Sequence, residues 1–148
     1  MKDLIIDACA LSSVFKVSSV DHTEFAPILQ ALYKGQCRMI YGGKKYLDEL
    51  ADVSSVHPFI LALSKMNRVK VLNQDDVDER QKYVETIIKT PEFNDPHLPA
   101  IAFVGNCHLI CSKDKKCMPF VKDKRLYSTH FKVPSFYTSK RHRSLLYK

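Results

Sequence analysis

The chain has 148 residues, 45% of them apolar, with 23 Lys and Arg against 16 Asp and Glu. That length suits one domain with a real core and is short for two, and the apolar fraction excludes disorder as a global state. No stretch approaches the roughly 18 apolar residues a bilayer crossing needs, and the opening run Leu4-Ile5-Ile6 is too short for a secretory signal, so a cytoplasmic protein with no membrane contact is expected.

Leu4 to Ile6 reads as a strand entering a core, and Ala8 to Phe15 as a turn leading into a helix, with a break at Ser18, Ser19 and Asp21. From Glu24 to Tyr33, residues Phe25, Ile28, Leu29 and Leu32 share one helical face, and Gly35 suits the helix end. Arg38 to Tyr41 is a second predicted strand. Gly42-Gly43 then releases the chain into a helix carrying Tyr46, Leu47 and Leu50. Phe59, Ile60 and Leu63 define the next helix, whose first turn tolerates Pro58. Val69 to Leu72 is a third strand. Asp75, Asp76, Asp78 and Glu79 crowd the start of the following helix, where the positive end of the dipole favours acids, and that helix runs to about Lys89.

Pro96 and Pro99 place another helix start near Asp95, and Gly105-Asn106 stops that helix after Val104. His108 to Cys111 is a fourth strand, and Lys113 to Phe120 a short helix or turn. Val133 to Tyr137 is a last strand, confined to a sheet edge by Pro134. Strand and helix alternate with no tight hairpin signal. The prediction is an α/β fold of three α/β/α layers around a mostly parallel sheet of about four to five strands.

Residues 1–121 are expected to form the domain and residues 122–148 a basic C-terminal extension packed on it. The last 27 residues hold eight Lys or Arg and one acid, while residues 1–121 hold 15 of each sign, so the whole net charge of +7 lies in the tail. Such a segment attracts polyanions, and nucleic acid is the commonest in a cytosol. A solvated tail that aids solubility is the ordinary alternative. The five cysteines Cys9, Cys37, Cys107, Cys111 and Cys117 read as reduced thiols. Cys107, His108, Cys111 and Cys117 lack the spacing of common zinc-ligand pairs.

Four acids fall at ends of elements. Asp7 and Asp114 follow the first and fourth predicted strands, Asp95 opens a helix, and Glu49 lies on the helix after the second strand. In parallel α/β sheets the ligand cleft lies beyond the carboxyl ends of the strands, so all four can face one rim. Singly, each has an ordinary explanation. Asp7 and Asp95 could cap helices, Glu49 could be a surface acid beside Lys44 and Lys45, and Asp114 a turn residue paired with a lysine. Gathered in one cleft they would repel unless protonated or bound to a cation. Carboxylate oxygens suit Mg²⁺ or Mn²⁺, and such an ion with phosphate bound can activate water for in-line attack.

Four segments carry a family resemblance: Leu4-Ile5-Ile6-Asp7-Ala8-Cys9-Ala10-Leu11, Lys45-Tyr46-Leu47-Asp48-Glu49-Leu50, Asn94-Asp95-Pro96-His97-Leu98-Pro99-Ala100-Ile101-Ala102, and Leu109-Ile110-Cys111-Ser112-Lys113-Asp114. In order and spacing they resemble the PIN-domain family of metal-dependent ribonucleases, which includes the toxins of many toxin–antitoxin pairs. The resemblance implies that Asp7, Glu49, Asp95 and Asp114 bind Mg²⁺ or Mn²⁺, with Ser112 supporting the fourth acid or a bound water. It implies an endoribonuclease hydrolysing RNA phosphodiester bonds, held in check by an antitoxin or other regulatory protein, and a homodimer in the manner of related domains. Cys9 stands where the family often has a small polar residue, and Pro96 and Pro99 are unusual beside the third acid. Lys113, Lys115, Lys116, Lys140, Arg141 and Arg143 are the expected phosphate contacts. A catalytically inactive PIN-like RNA-binding module and a DNA-directed nuclease are the competing readings.

Overall fold

Leu4, Ile5 and Ile6 have no solvent exposure. A run of three consecutive buried apolar residues needs cover on both faces, the condition of an inner strand in a parallel sheet. The computed structural model describes residues 1–147 and places that run in β1 (Lys2–Ile6), the middle strand. β2 (Cys37–Tyr41), β3 (Val69–Val71), β4 (Leu109–Cys111) and β5 (Ser135–Tyr137) complete one sheet in the order β3-β2-β1-β4-β5. Every pairing is parallel. Register pairs Asp3 with Arg38, whose side chains form an ion pair at 2.9 Å, and Ile6 with Cys111.

Seven α-helices flank the sheet among the described residues: α1 (Leu11–Phe15), α2 (His22–Tyr33), α3 (Lys44–Ala51), α4 (His57–Lys65), α5 (Gln74–Ile87), α6 (His97–Val104) and α7 (Met118–Val121). The chain is an α/β protein with a five-stranded, all-parallel sheet between helical layers. From β1 it steps outward to β2 and β3, then returns to the other side of β1 for β4 and β5. The reversal makes the β1–β4 seam the switch point, where a parallel sheet leaves a crevice at its carboxyl ends.

Local chemistry sets several boundaries. α2 ends in a Schellman motif: Gln36 N–H donates to Ala31 O at 2.9 Å and Gly35 N–H to Leu32 O at 3.2 Å, with Gly35 at φ +75°. Gly43, at φ +87°, opens α3, and the free Lys44 N–H donates to Asp78 Oδ1 of α5 at 2.9 Å. A side chain at Gly43 would put its Cβ 2.6 Å from Val77 Cγ1. α5 is capped by Asn73, whose side chain accepts from Asp76 N–H at 3.0 Å.

Some elements begin elsewhere than the sequence suggests. α6 starts at His97, two residues past Asp95, because Pro96 and the turn closed by Leu98 N–H on Asp95 O (3.1 Å) precede it. Regular strand in β3 ends at Val71, although Leu72 N–H still donates to Tyr41 O at 2.8 Å. β5 is an edge strand with Pro134 just before it. A 3-10 segment, Lys140–Leu146, then brings Leu146 into the core, where its carbonyl accepts from Cys37 Sγ at 3.5 Å. The basic tail therefore completes one edge of the sheet. Among the described residues no helix is long and apolar enough to cross a membrane.

Candidate metal centre

Asp7 is the residue at which β1 stops, and its backbone N–H donates to Cys111 O at 2.8 Å, which pins it at the β1–β4 seam. Only 4% of it is exposed. Its side chain makes no helix-cap hydrogen bond. Instead Oδ2 accepts from Ser112 Oγ at 2.8 Å and from Cys9 Sγ at 3.3 Å. Ser112 Oγ in turn accepts from Asp114 N–H at 3.0 Å, so this buried hydroxyl ties the end of β4 to both acids. Cys9, two residues past Asp7, thus reaches the carboxylate through its thiol.

Glu49 projects from α3. Lys44 is taken by Asp48 in an i,i+4 pair at 2.8 Å, and Lys45 Nζ donates to Asn94 O. Glu49 faces the seam, with Oε1 2.9 Å from Nε2 of His97, the first residue of α6. His97 has no solvent exposure. The approach is close but badly angled: neither Glu49 Oε1 nor either His97 ring nitrogen has a hydrogen-bond partner. A buried polar atom left unpaired in this way costs about 1–3 kcal/mol. Beneath them Tyr46, fully buried, donates its hydroxyl to Ile6 O at 2.6 Å, and its ring lies 6.3 Å from that of His97.

Two groups of donor atoms result. One ligand atom each from Asp7, Glu49 and His97 lie within 4.8 Å of one another, as do one each from Asp7, Asp95 and Cys117. Asp7 belongs to both. At 4.8 Å two carboxylates repel by about 3.5 kcal/mol for an effective dielectric of about 20. The consequence appears at Asp95, whose carboxyl is pushed up to about 6 by burial and then by the charge of Asp7, with Glu49 and Asp114 adding to it. Glu49 is held below the usual carboxylate range, chiefly by its contact with His97. Burial pushes the Cys9 thiol to about 11 and the Cys117 thiol to about 12, so both are protonated near neutral pH.

Asp114 stands at the border. Its Oδ1 accepts from Lys116 N–H at 2.9 Å, a turn contact, and its carbonyl accepts from Cys117 Sγ at 3.1 Å. It belongs to neither donor group, yet its charge is felt at Asp95. Of the basic residues, Lys113 is drawn away to Asp21 Oδ2 at 2.9 Å and Ser13 Oγ at 3.0 Å. Lys115, Lys116, Lys140, Arg141 and Arg143 are exposed, and among the described residues none of them forms an ion pair. Lys140 is anchored through its backbone N–H, which donates to Glu24 Oε2 at 3.1 Å.

His97 and Cys117 join the acids without any signal in their sequence spacing. His97 is the lone histidine of α6 and Cys117 immediately precedes α7, and only the sheet order brings them to the seam. The donor chemistry fits a divalent cation: clustered carboxylates, one of them raised by burial and then by the charge of Asp7, and unpaired buried atoms of Glu49 and His97 facing the same space. The chain matches no protein-family model, no curated protein and no solved structure.

Proposed function

We propose that the chain is a PIN-like, metal-dependent endoribonuclease using Mn²⁺ or Mg²⁺. The observation that carries this reading is the convergence of Asp7, Glu49 and Asp95 on the switch-point crevice, with the Asp95 carboxyl pushed up to about 6 by burial and then by the charge of Asp7. Asp7, Glu49 and Asp95 would hold the cation, and Asp114 with Ser112 would orient Asp7 and the end of β4. When bound, a divalent cation supplies a water of lowered pKa and neutralises charge on phosphate oxygens. The rest falls to the protein. Ser112 and Cys9 fix the rotamer of Asp7, Tyr46 excludes water from below, and Lys115 and Lys116 lie beside Asp114 where an RNA backbone would pass.

An RNA-binding module without catalysis is the second reading. It is favoured by the exposed charges of Lys140, Arg141 and Arg143, without ion-pair partners among the described residues, which would hold a polyanion whether or not it is cut. Incubation of a structured RNA with the protein in Mn²⁺, in chelator, and with Asp7→Asn separates the two. The nuclease reading expects cleavage in the first arm alone. Binding with no cleavage in any arm supports the module and defeats the nuclease. A matching DNA substrate in the same assay tests the choice of nucleic acid. Deleting residues 122–148 is the wrong tool, since it strips β5 from the sheet.

A further inference from the structure

We propose that His97 is a direct metal ligand, and that Asp7, Glu49 and His97 together hold a first-row transition cation of the Mn²⁺ or Zn²⁺ class in preference to Mg²⁺. The inference deepens the metal-dependent reading above and rests on it for the existence of a cation site, though not for nuclease activity. His97 is fully buried, and both of its ring nitrogens lack hydrogen-bond partners. Buried polar atoms in folded proteins are nearly always satisfied, and a histidine with a purely structural place in the core would face a carbonyl or hydroxyl. Here Nε2 lies 2.9 Å from Glu49 Oε1, itself without a hydrogen-bond partner.

The three donor atoms lie within 4.8 Å of one another. Ligands that share one ion at about 2.0–2.2 Å sit about 3–4.4 Å apart, so little movement closes the set. They come from three different elements: the end of β1, the inward side of α3, and the first residue of α6. α3 is held in place by the Asp78 cap on Lys44. Two carboxylates and one neutral imidazole balance a dication and leave positions open for water or substrate. Imidazole nitrogen suits Zn²⁺ and its neighbours in the first row, whereas Mg²⁺ asks for oxygen ligands in near-ideal octahedral order. The adjacent Cys117 is not part of this set, since its thiol donates its proton to Asp114 O at 3.1 Å. The competing account of His97 is a plain ion pair with Glu49, in which no metal touches the ring.

Pulsed electron paramagnetic resonance on the full-length protein with one equivalent of Mn²⁺ tells them apart. The expected result is modulation from a directly bound ¹⁴N nucleus, abolished in His97→Gln. Isothermal titration should show Mn²⁺ and Zn²⁺ binding more tightly than Mg²⁺, with affinity for Mn²⁺ falling at least about tenfold in His97→Gln, since even outer-shell partners of a metal are worth that much. The wild-type spectrum decides the matter even if the variant fails to fold. Bound Mn²⁺ with no ¹⁴N coupling overturns the inference and leaves an all-oxygen nuclease site standing. A ¹⁴N-coupled ion in a protein that cuts no RNA does the reverse. Absence of any Mn²⁺ or Zn²⁺ binding by the wild type also overturns it.

Discussion

The acidic seam and the basic tail handle charge in opposite ways. At the seam, acids from positions 7, 49, 95 and 114 are drawn together from distant parts of the chain and partly withdrawn from water, and one of them responds by holding its proton up to about pH 6. In the tail, Lys140, Arg141 and Arg143 are neighbours in sequence, exposed and without ion-pair partners among the described residues. The first arrangement opposes folding and exists only because a specific backbone imposes it. The second costs the fold almost nothing and acts through its field over a Debye length. Substitutions should therefore have large, position-specific effects at the seam, and small, additive ones in the tail.

The largest effect is expected at Asp7. Asp7→Asn keeps an oxygen to accept from Ser112 and Cys9 while removing the charge common to both donor groups. RNA cleavage in Mn²⁺ should fall by at least about 100-fold, the upper range for loss of an outer-shell partner and so a floor for a ligand. In chelator the melting temperature should hold or rise, because repulsion is relieved. A variant that cuts normally, or one that loses stability, would contradict the contrast with the tail.

Next comes Gly43→Ala, which attacks the scaffold behind Glu49. The residue sits at φ +87° and ψ 153°, a region that only glycine enters freely, and the new Cβ would meet Val77 Cγ1 at 2.6 Å. Strain and overpacking together should cost about 2–4 kcal/mol. Denaturant titration measures it. A loss under about 1 kcal/mol would mean that α3 can shift freely, and Glu49 with it.

How much of this is legible in the sequence divides along the same line. Leu4-Ile5-Ile6 announces an inner parallel strand, Gly35 a helix end and Pro134 an edge, because each reports a local demand on burial, φ or a missing N–H. The order β3-β2-β1-β4-β5 is not legible, since pairing partners lie tens of residues apart. The start of α6 is expected two residues early because Pro96 and Pro99 both fit a first turn. Asp7 and Asp95 stand out by their positions at element ends and Glu49 by its place on the helix after the second strand, and they meet through one ligand atom each at Asp7. His97 and Cys117 carry no mark. Their place at the seam is a product of the sheet order, and a scan for paired ligands on one element passes over both.

Acid titration gives a subtler test of the seam. A carboxyl at about 6 in the folded protein, against an ordinary 3.8, binds its proton more tightly folded than unfolded. Stability from this group is therefore full at low pH and is lost as pH rises from about 4 to about 6. Asp21 and Asp123, held low by a Ser13 hydrogen bond and by Arg125 respectively, act in the opposite sense. Comparison with Asp95→Asn cancels them. In chelator, the melting temperature of the variant should overtake that of the wild type progressively across pH 4 to 6 and run parallel above it. Mn²⁺ bound at the neighbouring Asp7 should shrink the gap by stabilising the Asp95 carboxylate of the folded wild type. Parallel curves from pH 4 upward would show that Asp95 does not feel Asp7.

The smallest effect is expected in the tail, and it is one of slope. Lys140→Gln, Arg141→Gln and Arg143→Gln combined remove three exposed charges and leave the backbone hydrogen bond from Lys140 to Glu24 in place. Stability should stay within about 0.5 kcal/mol of the parent, as for surface changes away from buried features. Every cation that neutralises a phosphate of single-stranded RNA steepens the fall of log affinity with log salt by about 0.7, so the triple variant should flatten it by about 2 if all three side chains touch phosphate. Lys115→Gln with Lys116→Gln, beside Asp114, should take away about 1.4 more if one strand runs across both surfaces. An unchanged slope in the tail variant, with the second pair still effective, would confine RNA to the seam and reduce residues 140–143 to a solvated edge of the sheet.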